Sequence, residues 1–282
     1  MPDGFAIVSK SASASEIAWH LHDAGCVLAK GILSDDAVQV ISDYVYKEVE
    51  KHAAVFYRYF GFDWNDTARL ADLVSANHDR SAAYDALPPD VQHLVRGELP
   101  LSVRISPKLK AIAHEPSLMK GVRAILGDPV VRLHHPPSVR AAQPGMTNSL
   151  VPLHQDASYA WHLPDFLTVW VPLCPIDDSC GGIEILPNSH TMPLIQPEPR
   201  AIWSELKCQP AQGRLVPIHC EPGDAILFGP RLLHASRPNR SNQIRCSIDY
   251  RFFSHRYPTS KRYYDIEARE IRLDAVAQTA AL

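Results

Sequence analysis

The character of the sequence changes near residue 128, and this change limits the folds that the chain can adopt. Before it, apolar residues recur at helical spacing. After it, seven short β-rich runs alternate with Pro, Gly and Asn, from VVRLHH at 130–135 to IRCSIDYRFF at 244–253. Short strands at regular spacing, with turn residues between them, are typical of a sandwich, jelly roll or barrel. The sequence therefore predicts a β core after residue 128.

The first part of the chain is expected to be mostly helical. SEIAWHLHDAGC predicts a short amphipathic helix that ends at Gly25, and CVLA after it predicts a brief strand. Ser34 is expected to cap a helix over 34–52, with Asp35 and Asp36 in its first turn. Further helices are predicted near residues 68–76, 89–97 and 107–126, the last one split at Pro116 and ended by Gly127.

Composition excludes several classes of protein. The 282 residues are 46% hydrophobic and 21% charged, with a net charge of −3, which is typical of globular proteins. The chain has no excess of basic residues, so we do not expect a nucleic-acid partner. No apolar run approaches the roughly 20 residues that a membrane span needs, so we do not expect a membrane protein. The six cysteines form no CxxC motif and the N-terminus has no signal-peptide pattern, so we expect reduced thiols in a cytoplasmic protein. The oligomeric state is left open.

The stretch LHQD, residues 153–156, offers two candidate metal ligands, His154 and Asp156. Residues two apart on a strand point the same way, so this spacing suits a strand. With 14 His and 31 acidic residues, one such pair is expected by chance and decides little. His234, from a distant strand, would complete the 2-His-1-carboxylate set of non-haem Fe(II) oxygenases, which leaves three adjacent coordination positions open.

A second stretch, EPGDAILFGPRLLHASRPNRSNQIRC, contains His234 and Arg245. The two residues lie about equally far from the polar turn between their strands, so both can point into the same interior. A planar guanidinium suits bidentate binding of a carboxylate, and Arg245 is the candidate for the far carboxylate of a dicarboxylate co-substrate. Arg237 and Arg240 are alternatives, although their place in or beside the turn favours solvent exposure.

Together these stretches resemble the phytanoyl-CoA dioxygenase (PhyH) family of Fe(II)/2-oxoglutarate oxygenases. The motifs that carry the resemblance are LHQD, GGIEILPNSH (181–190), PGDAILFGPRLLHAS (222–236), the Arg eleven residues after His234, and the N-terminal GCVLAKGILSDDAVQVISDYV. No motif is placed in the insert around 53–100. The resemblance implies a mainly β fold, with a double-stranded β-helix (jelly-roll, cupin-like) core and N-terminal and flanking helices. We expect one domain over 1–282, with a helical buttress (1–127), the core (128–256) and a C-terminal tail (257–282).

The resemblance also implies a site. Iron would be held by His154, Asp156 and His234 and would react with O2. Arg245 would bind the C5 carboxylate of 2-oxoglutarate. Relatives often have a Lys ahead of the HxD motif as a further co-substrate contact. Here the Lys is absent, and Arg140 and Gln143 stand in that region. Thr168 is a weaker candidate for the same role.

The substrate is expected to be a small metabolite or natural-product intermediate. Tyr159, Trp161 and His162 follow the ligand pair and could line its pocket, with core packing as an equal alternative. Halogenating relatives replace the carboxylate ligand, so Asp156 favours hydroxylation with release of succinate and CO2. Desaturation, cyclisation or epoxidation would need the same cofactors. A non-oxidative jelly-roll protein that binds a metal or a ligand is the alternative of another class.

Overall fold

Helices make up most of the described chain before residue 128 and short strands most of it afterwards, as the sequence predicts. The structure is a computed structural model that describes residues 4–64, 66, 68–69, 86–145, 150–160, 162–163, 165–195, 197–198, 205–206 and 213–274. The helices are α1 (Ala14–Ala24), α2 (Asp35–Phe60), α3 (Pro89–Val95), α4 (Leu101–Arg104) and α5 (Pro116–Leu126), and a 3-10 helix (Pro107–His114) precedes α5.

The two long N-terminal helices begin and end at the residues that satisfy their backbone groups. Ser13 and Glu16 form a capping box at the start of α1, and Gly25 ends that helix with a φ of 76°. The Ser34 hydroxyl accepts from Ala37 N, which confirms the predicted start of α2. The helix runs past its predicted end at residue 52, because buried positions at helical spacing continue to Phe56.

Two predicted helices have different outcomes. The prediction over 107–126 is confirmed as helical and as split at Pro116, but its first half is a 3-10 helix. The helix predicted near 68–76 falls largely outside the described residues.

Fifteen strands are described. In chain order they are β1 (Ala6–Ser9), β2 (Cys26–Lys30), β3 (Val131–His134), β4 (Ser138–Ala142), β5 (His154–Gln155), β6 (Leu167–Pro172), β7 (Gly182–Ile185), β8 (Pro197–Glu198), β9 (Glu205–Leu206), β10 (Val216–Pro217), β11 (Ala225–Phe228), β12 (Leu233–Arg237), β13 (Arg245–Ser254), β14 (Tyr263–Asp265) and β15 (Glu270–Arg272).

The described strands form a nine-stranded sheet, a four-stranded sheet and a two-stranded sheet. The large sheet has the order β1-β2-β11-β6-β13-β3-β14-β15, with β4 also paired to β13, and the smaller sheet has the order β10-β7-β12-β5. The pair β1–β2 is parallel and the other pairs in the large sheet are antiparallel. This arrangement confirms the predicted mainly β fold.

The helices cover one face of the large sheet. Four alternate residues of β13 belong to the main apolar cluster with them: Cys246, Ile248, Tyr250 and Phe252. Full burial of an aliphatic or aromatic side chain stabilises the fold by about 1.5–3 kcal/mol. The residues between these four, Arg245, Ser247, Asp249 and Arg251, therefore point to the opposite face, here called the inner face. A second apolar cluster joins residues of both sheets, so the inner face looks toward the smaller sheet.

Segments outside the predicted core also contribute strands. β14 and β15 lie in the region expected to be a C-terminal tail, yet β14 pairs with β3 and extends the large sheet. β1 and β2, from the predicted helical buttress, extend the same sheet at its other end. Their alternating or continuous apolar residues, such as CVLA in β2, explain why they pair.

Candidate metal centre

His154 and His234 are direct neighbours across two paired strands of the smaller sheet. β12 pairs with β5 so that His234 lies opposite His154, and the ring centroids are 4.1 Å apart. Each Nδ1 lies near the carbonyl oxygen of the residue two positions earlier, at 2.8 Å for His154 and 3.0 Å for His234. A carbonyl can only accept, so Nδ1 of each neutral ring carries the proton and each Nε2 keeps its lone pair for a metal.

Asp156 lies just past the end of β5, as the first residue of a 3-10 turn. The prediction that His154 and Asp156 share one strand is thus wrong in detail, because β5 ends at Gln155. Asp156 is 2% exposed, and its Oδ1 lies 3.5 Å from Nε2 of His154. The turn, rather than strand alternation, brings this carboxylate to the two imidazoles.

Two donors from the large sheet bind the Asp156 carboxylate. Thr168 Oγ1 donates to Oδ2 at 2.6 Å, and Nη2 of Arg251 donates to Oδ1 at 2.8 Å. Burial raises the pKa of Asp156, but the charge of Arg251 outweighs this effect and holds that pKa well below its usual range. The carboxylate is therefore ionised, as a metal ligand must be.

His154, Asp156 and His234 together have the donor set and the spacing of a metal site. One ligand atom from each residue lies within 4.8 Å of the others, and all three side chains are buried. Two imidazole nitrogens and one carboxylate oxygen match the facial arrangement found in non-haem Fe(II) enzymes.

Arg245 is a buried cation on the inner face. The residue is 4% exposed, and Nη1 donates to the Ser247 hydroxyl at 3.0 Å. Its Nε is buried without a hydrogen-bond partner, and among the described residues no carboxylate lies within 4.0 Å of its guanidinium. A buried guanidinium without a counter-ion is costly unless a ligand supplies one, so a carboxylate ligand fits here.

Gln143, next to Arg245, also lacks hydrogen-bond partners among the described residues. It follows Ala142, which pairs with Arg245 across β4 and β13. The residue is 0% exposed, and both its amide oxygen and its amide nitrogen lack partners among the described residues. Buried amides without hydrogen bonds are rare in proteins, and a polar ligand at this end of the inner face would relieve both residues.

The other predicted site residues have more varied surroundings. Arg140 Nε lies 3.8 Å from Oδ2 of Asp249, and Thr168 binds Asp156. The Tyr159 ring packs edge-on against His154 at 5.1 Å between centroids, and the His162 ring lies 5.1 Å from that of His134. Trp161 lies outside the described residues.

Sequence reasoning missed Arg251, which binds the candidate ligand Asp156 directly. A signal for it exists in the sequence. In RCSIDYR, positions 245, 247, 249 and 251 alternate on one strand face, so a strand that directs Arg245 inward also directs Arg251 inward.

Comparison with known proteins identifies the family. The sequence model of the family described as phytanoyl-CoA dioxygenase (PhyH) matches residues 2–247, which is most of the chain. The chain belongs to the phytanoyl-CoA dioxygenase family. This result confirms the resemblance seen in the LHQD and PGDAILFGPRLLHAS motifs.

Two relatives show how far the similarity of this PhyH-family chain extends. It is 30% identical over 156 residues to 1-deoxypentalenic acid 11-beta-hydroxylase of Streptomyces exfoliatus, covering 49% of this chain and 54% of that protein. It is 26% identical over 162 residues to peroxisomal phytanoyl-CoA dioxygenase of Bos taurus, covering 54% and 47%. The chain thus matches about half the length of these curated relatives.

Solved structures share the fold at lower sequence identity. The epimerase SnoN, in complex with Fe3+, alpha-ketoglutarate and nogalamycin RO, matches with a TM-score of 0.54 at 18% identity, covering 86% of this chain and 83% of that one. The alpha-ketoglutarate-dependent carbocyclase SnoK matches with a TM-score of 0.54 at 14% identity, covering 86% of each chain. In the described part of this PhyH-family chain, every helix is too short or too polar to cross a membrane.

Proposed function

We propose that this PhyH-family protein is an Fe(II)- and 2-oxoglutarate-dependent oxygenase that hydroxylates an unactivated C–H bond of a small metabolite, with release of succinate and CO2. The observation that carries the proposal is the cluster of three buried ligand atoms from His154, Asp156 and His234 within 4.8 Å of one another. Family membership and the relative that is a hydroxylase support the same reaction.

In this proposal His154 Nε2, His234 Nε2 and a carboxylate oxygen of Asp156 hold the iron. The Arg245 guanidinium pairs with the C5 carboxylate of 2-oxoglutarate, since it is buried and has no counter-ion among the described residues. Gln143 offers its buried amide to the same ligand. Arg140 and Thr168 contact Asp249 and Asp156, which makes them weaker candidates for a co-substrate contact.

Iron and 2-oxoglutarate, when bound, would supply the electrons that cleave O2, so that one oxygen atom enters succinate and the other enters the substrate. The chain's own residues supply geometry. The carbonyls of Pro152 and Leu232 fix both imidazole rings with Nε2 toward the centre. Thr168 and Arg251 hold the Asp156 carboxylate ionised and oriented. Apolar residues between the sheets keep bulk water away from the site.

The type of oxidation that the substrate undergoes is the most specific part of the proposal. When iron is bound, the Asp156 carboxylate would take a coordination position that an anion could otherwise use, which favours hydroxylation over transfer of a bound anion. SnoN is an epimerase and SnoK a carbocyclase, so the fold also supports outcomes other than hydroxylation. Product analysis separates these outcomes, because hydroxylation adds one oxygen atom whereas desaturation or ring closure removes two hydrogen atoms.

The five free cysteines among the described residues support a cytoplasmic location.

The test uses the full chain, purified without oxygen and supplied with Fe(II), 2-oxoglutarate and ascorbate. Succinate is measured across a panel of small metabolites after O2 is admitted. We expect succinate formation that a true substrate stimulates, with loss in His234→Ala. His190→Ala is the matched control, because His190 is not one of the three candidate ligands and its ring contacts His22 O at 3.2 Å. Metal binding without succinate under any condition would favour the non-oxidative alternative.

A further inference from the structure

A row of polar side chains crosses the inner face beside the candidate metal centre. Arg251 on β13 pairs with Thr168 on β6. On the other side of β13, the next residue, Phe252, pairs with Leu133 on β3. Leu133 and Phe252 both pack toward the helices. His134, which follows Leu133, therefore lies beside Arg251 on the inner face. The row places an imidazole next to the guanidinium that binds Asp156.

His162 adds a second imidazole to this row. Its ring centroid lies 5.1 Å from that of His134, with an interplanar angle of 43°. The Arg251 guanidinium lies 5.9 Å from the centroid of Phe166, a few residues further along the same segment as His162. His134 and His162 are half-buried and the Arg251 side chain is 19% exposed, so a ligand can reach all three.

The dominant charges around these two imidazoles are cations. Burial and the charges of Arg251 and Arg104 lower the pKa of His134 to about 3. Burial, Lys261 and Arg251 lower the pKa of His162 to about 4. Both inner-face rings are therefore neutral N–H donors in a positive potential.

Arg251 keeps donor capacity for a further ligand. Its Nη2 and Nε lie 2.8 Å and 3.4 Å from the Asp156 oxygens, whereas a guanidinium has five N–H donors on three nitrogens. A divalent metal bound to Asp156 would compensate the charge of that carboxylate. The positive charge of Arg251 would then be available to an anion on the substrate side.

We propose that His134, His162 and Arg251 form a subsite for a carboxylate group of the substrate, so that the enzyme acts on an organic acid. The three residues, here called the anion subsite, adjoin the centre through the contact between Arg251 and Asp156. The inference rests on the proposed function, because it names the substrate class of that same site. A carboxylate fits because its two oxygens can accept from one guanidinium nitrogen and one imidazole together.

The test compares three probes of one shape: cyclohexanecarboxylate, cyclohexanecarboxamide and cyclohexyl phosphate. The full chain is loaded with Mn(II) and saturating 2-oxoglutarate, which occupies the Arg245 end of the inner face. Probe affinity is measured by saturation-transfer NMR, and proximity to the centre by broadening of the probe signals by Mn(II). We expect the carboxylate to bind tightest and to be broadened, with about tenfold weaker binding in His134→Leu and in His162→Leu. His219→Leu is the matched control, since His219 is half-exposed and contacts Asp178.

Several results would overturn the inference. They are equal binding of the acid and the amide, tighter binding of the phosphate, no binding of any probe, or unchanged affinity in both histidine variants. A failure of the proposed function can be distinguished from a failure of the subsite, because the Mn(II) EPR spectrum reports metal binding independently of probe binding. A protein that ignores Mn(II) and 2-oxoglutarate yet binds the acid through His134 and His162 keeps the subsite and loses the oxygenase assignment.

Discussion

Arg251 Nη2 donates to Asp156 Oδ1 across 2.8 Å, and this contact joins the large sheet to the candidate metal centre. Asp156 is a residue of a short turn, so its own strand does not hold it in place. Arg251 and Thr168 instead fix it from two adjacent strands of the large sheet, β13 and β6. The geometry of the centre therefore depends on how β5 and its turn pack against that sheet.

Removing the Arg251 guanidinium should weaken metal binding. We expect Arg251→Met to raise the Kd for Mn(II) by about 10- to 100-fold, as loss of a hydrogen-bonding partner of a metal ligand commonly does. Arg251→Lys should recover part of the affinity, because it keeps the charge without the planar fork. Competition with a fluorescent chelator measures both values. Arg123→Met, which removes a pair with Glu267 at 3.3 Å, should leave the affinity unchanged. Equal affinities in all four proteins would contradict the positioning role.

Replacing Arg245 should affect the co-substrate and spare the metal. Its guanidinium is 4% exposed and its Nε has no partner, so a bound carboxylate supplies its missing counter-ion. We expect Arg245→Gln to raise the Kd for 2-oxoglutarate by at least about tenfold, the loss of one charge-assisted pair. The Kd for Mn(II) should stay within about twofold, because Arg245 contacts none of the three candidate ligands. Calorimetry on the Mn(II)-loaded chain gives both values. An unchanged Kd for 2-oxoglutarate would remove Arg245 from the co-substrate site.

Sequence patterns predict the fold better than they predict the contacts of the site. Local rules are sufficient for the cap at Ser34, because a cap depends on a few adjacent residues. The same holds for the short strands after residue 128. The family motifs identify His154 and His234, which the structure places opposite each other across two paired strands.

Contacts between distant elements account for what the sequence does not reveal. Asp156 reaches the centre from a turn that begins where β5 ends, and strand alternation alone cannot locate that end. Arg251 becomes important only because β13 pairs with β6, which carries Thr168. The pairing of β14 with β3 likewise depends on how the chain returns to the sheet after Ser254. Each of these features requires the register of strands that are far apart in sequence.

Two glycines with left-handed backbone should respond differently to substitution by alanine. A Cβ on Gly61, with a φ of +74°, would meet nothing within 4 Å. Gly61→Ala should therefore cost only the conformational penalty, about 1–2 kcal/mol in the free energy of unfolding. At Gly181, with a φ of +92°, the Cβ would lie 2.6 Å from Pro238 O and 2.7 Å from Arg237 O. Gly181→Ala should cost more, because backbone atoms must move. Urea unfolding measures both, and equal losses would contradict the crowding at Gly181.

Glu98 should make the stability of the protein depend on acid pH. It is 7% exposed, and its carboxylate pairs with Arg104 at 3.0 Å and with His93 at 3.0 Å. Burial raises the pKa of Glu98, but the hydrogen bond to His93 and the charges of Arg140 and Arg104 outweigh it and hold that pKa well below its usual range. A carboxyl group whose pKa is lowered by folding stabilises the protein above its unfolded pKa of about 4.3, and this contribution is lost as the pH falls below that value.

Glu98→Gln tests this contribution, since it removes the charge and keeps the shape. At about pH 7 we expect the substitution to lower the free energy of unfolding by about 3 kcal/mol, because it leaves buried cations without their partner. Below about pH 4 the difference between wild type and variant should shrink by up to about 1.4 kcal/mol for each pH unit, because the wild-type protein progressively loses the same charge. Glu267→Gln is the control: Glu267 is 63% exposed in its pair with Arg123, and an exposed pair contributes about 0–1 kcal/mol. Urea unfolding at several pH values gives the stability curves of the wild type and both variants. A difference for Glu98→Gln that stays constant from neutral to acid pH would show that its charge does not stabilise the fold, because only an ionised partner gives a contribution that protonation can remove.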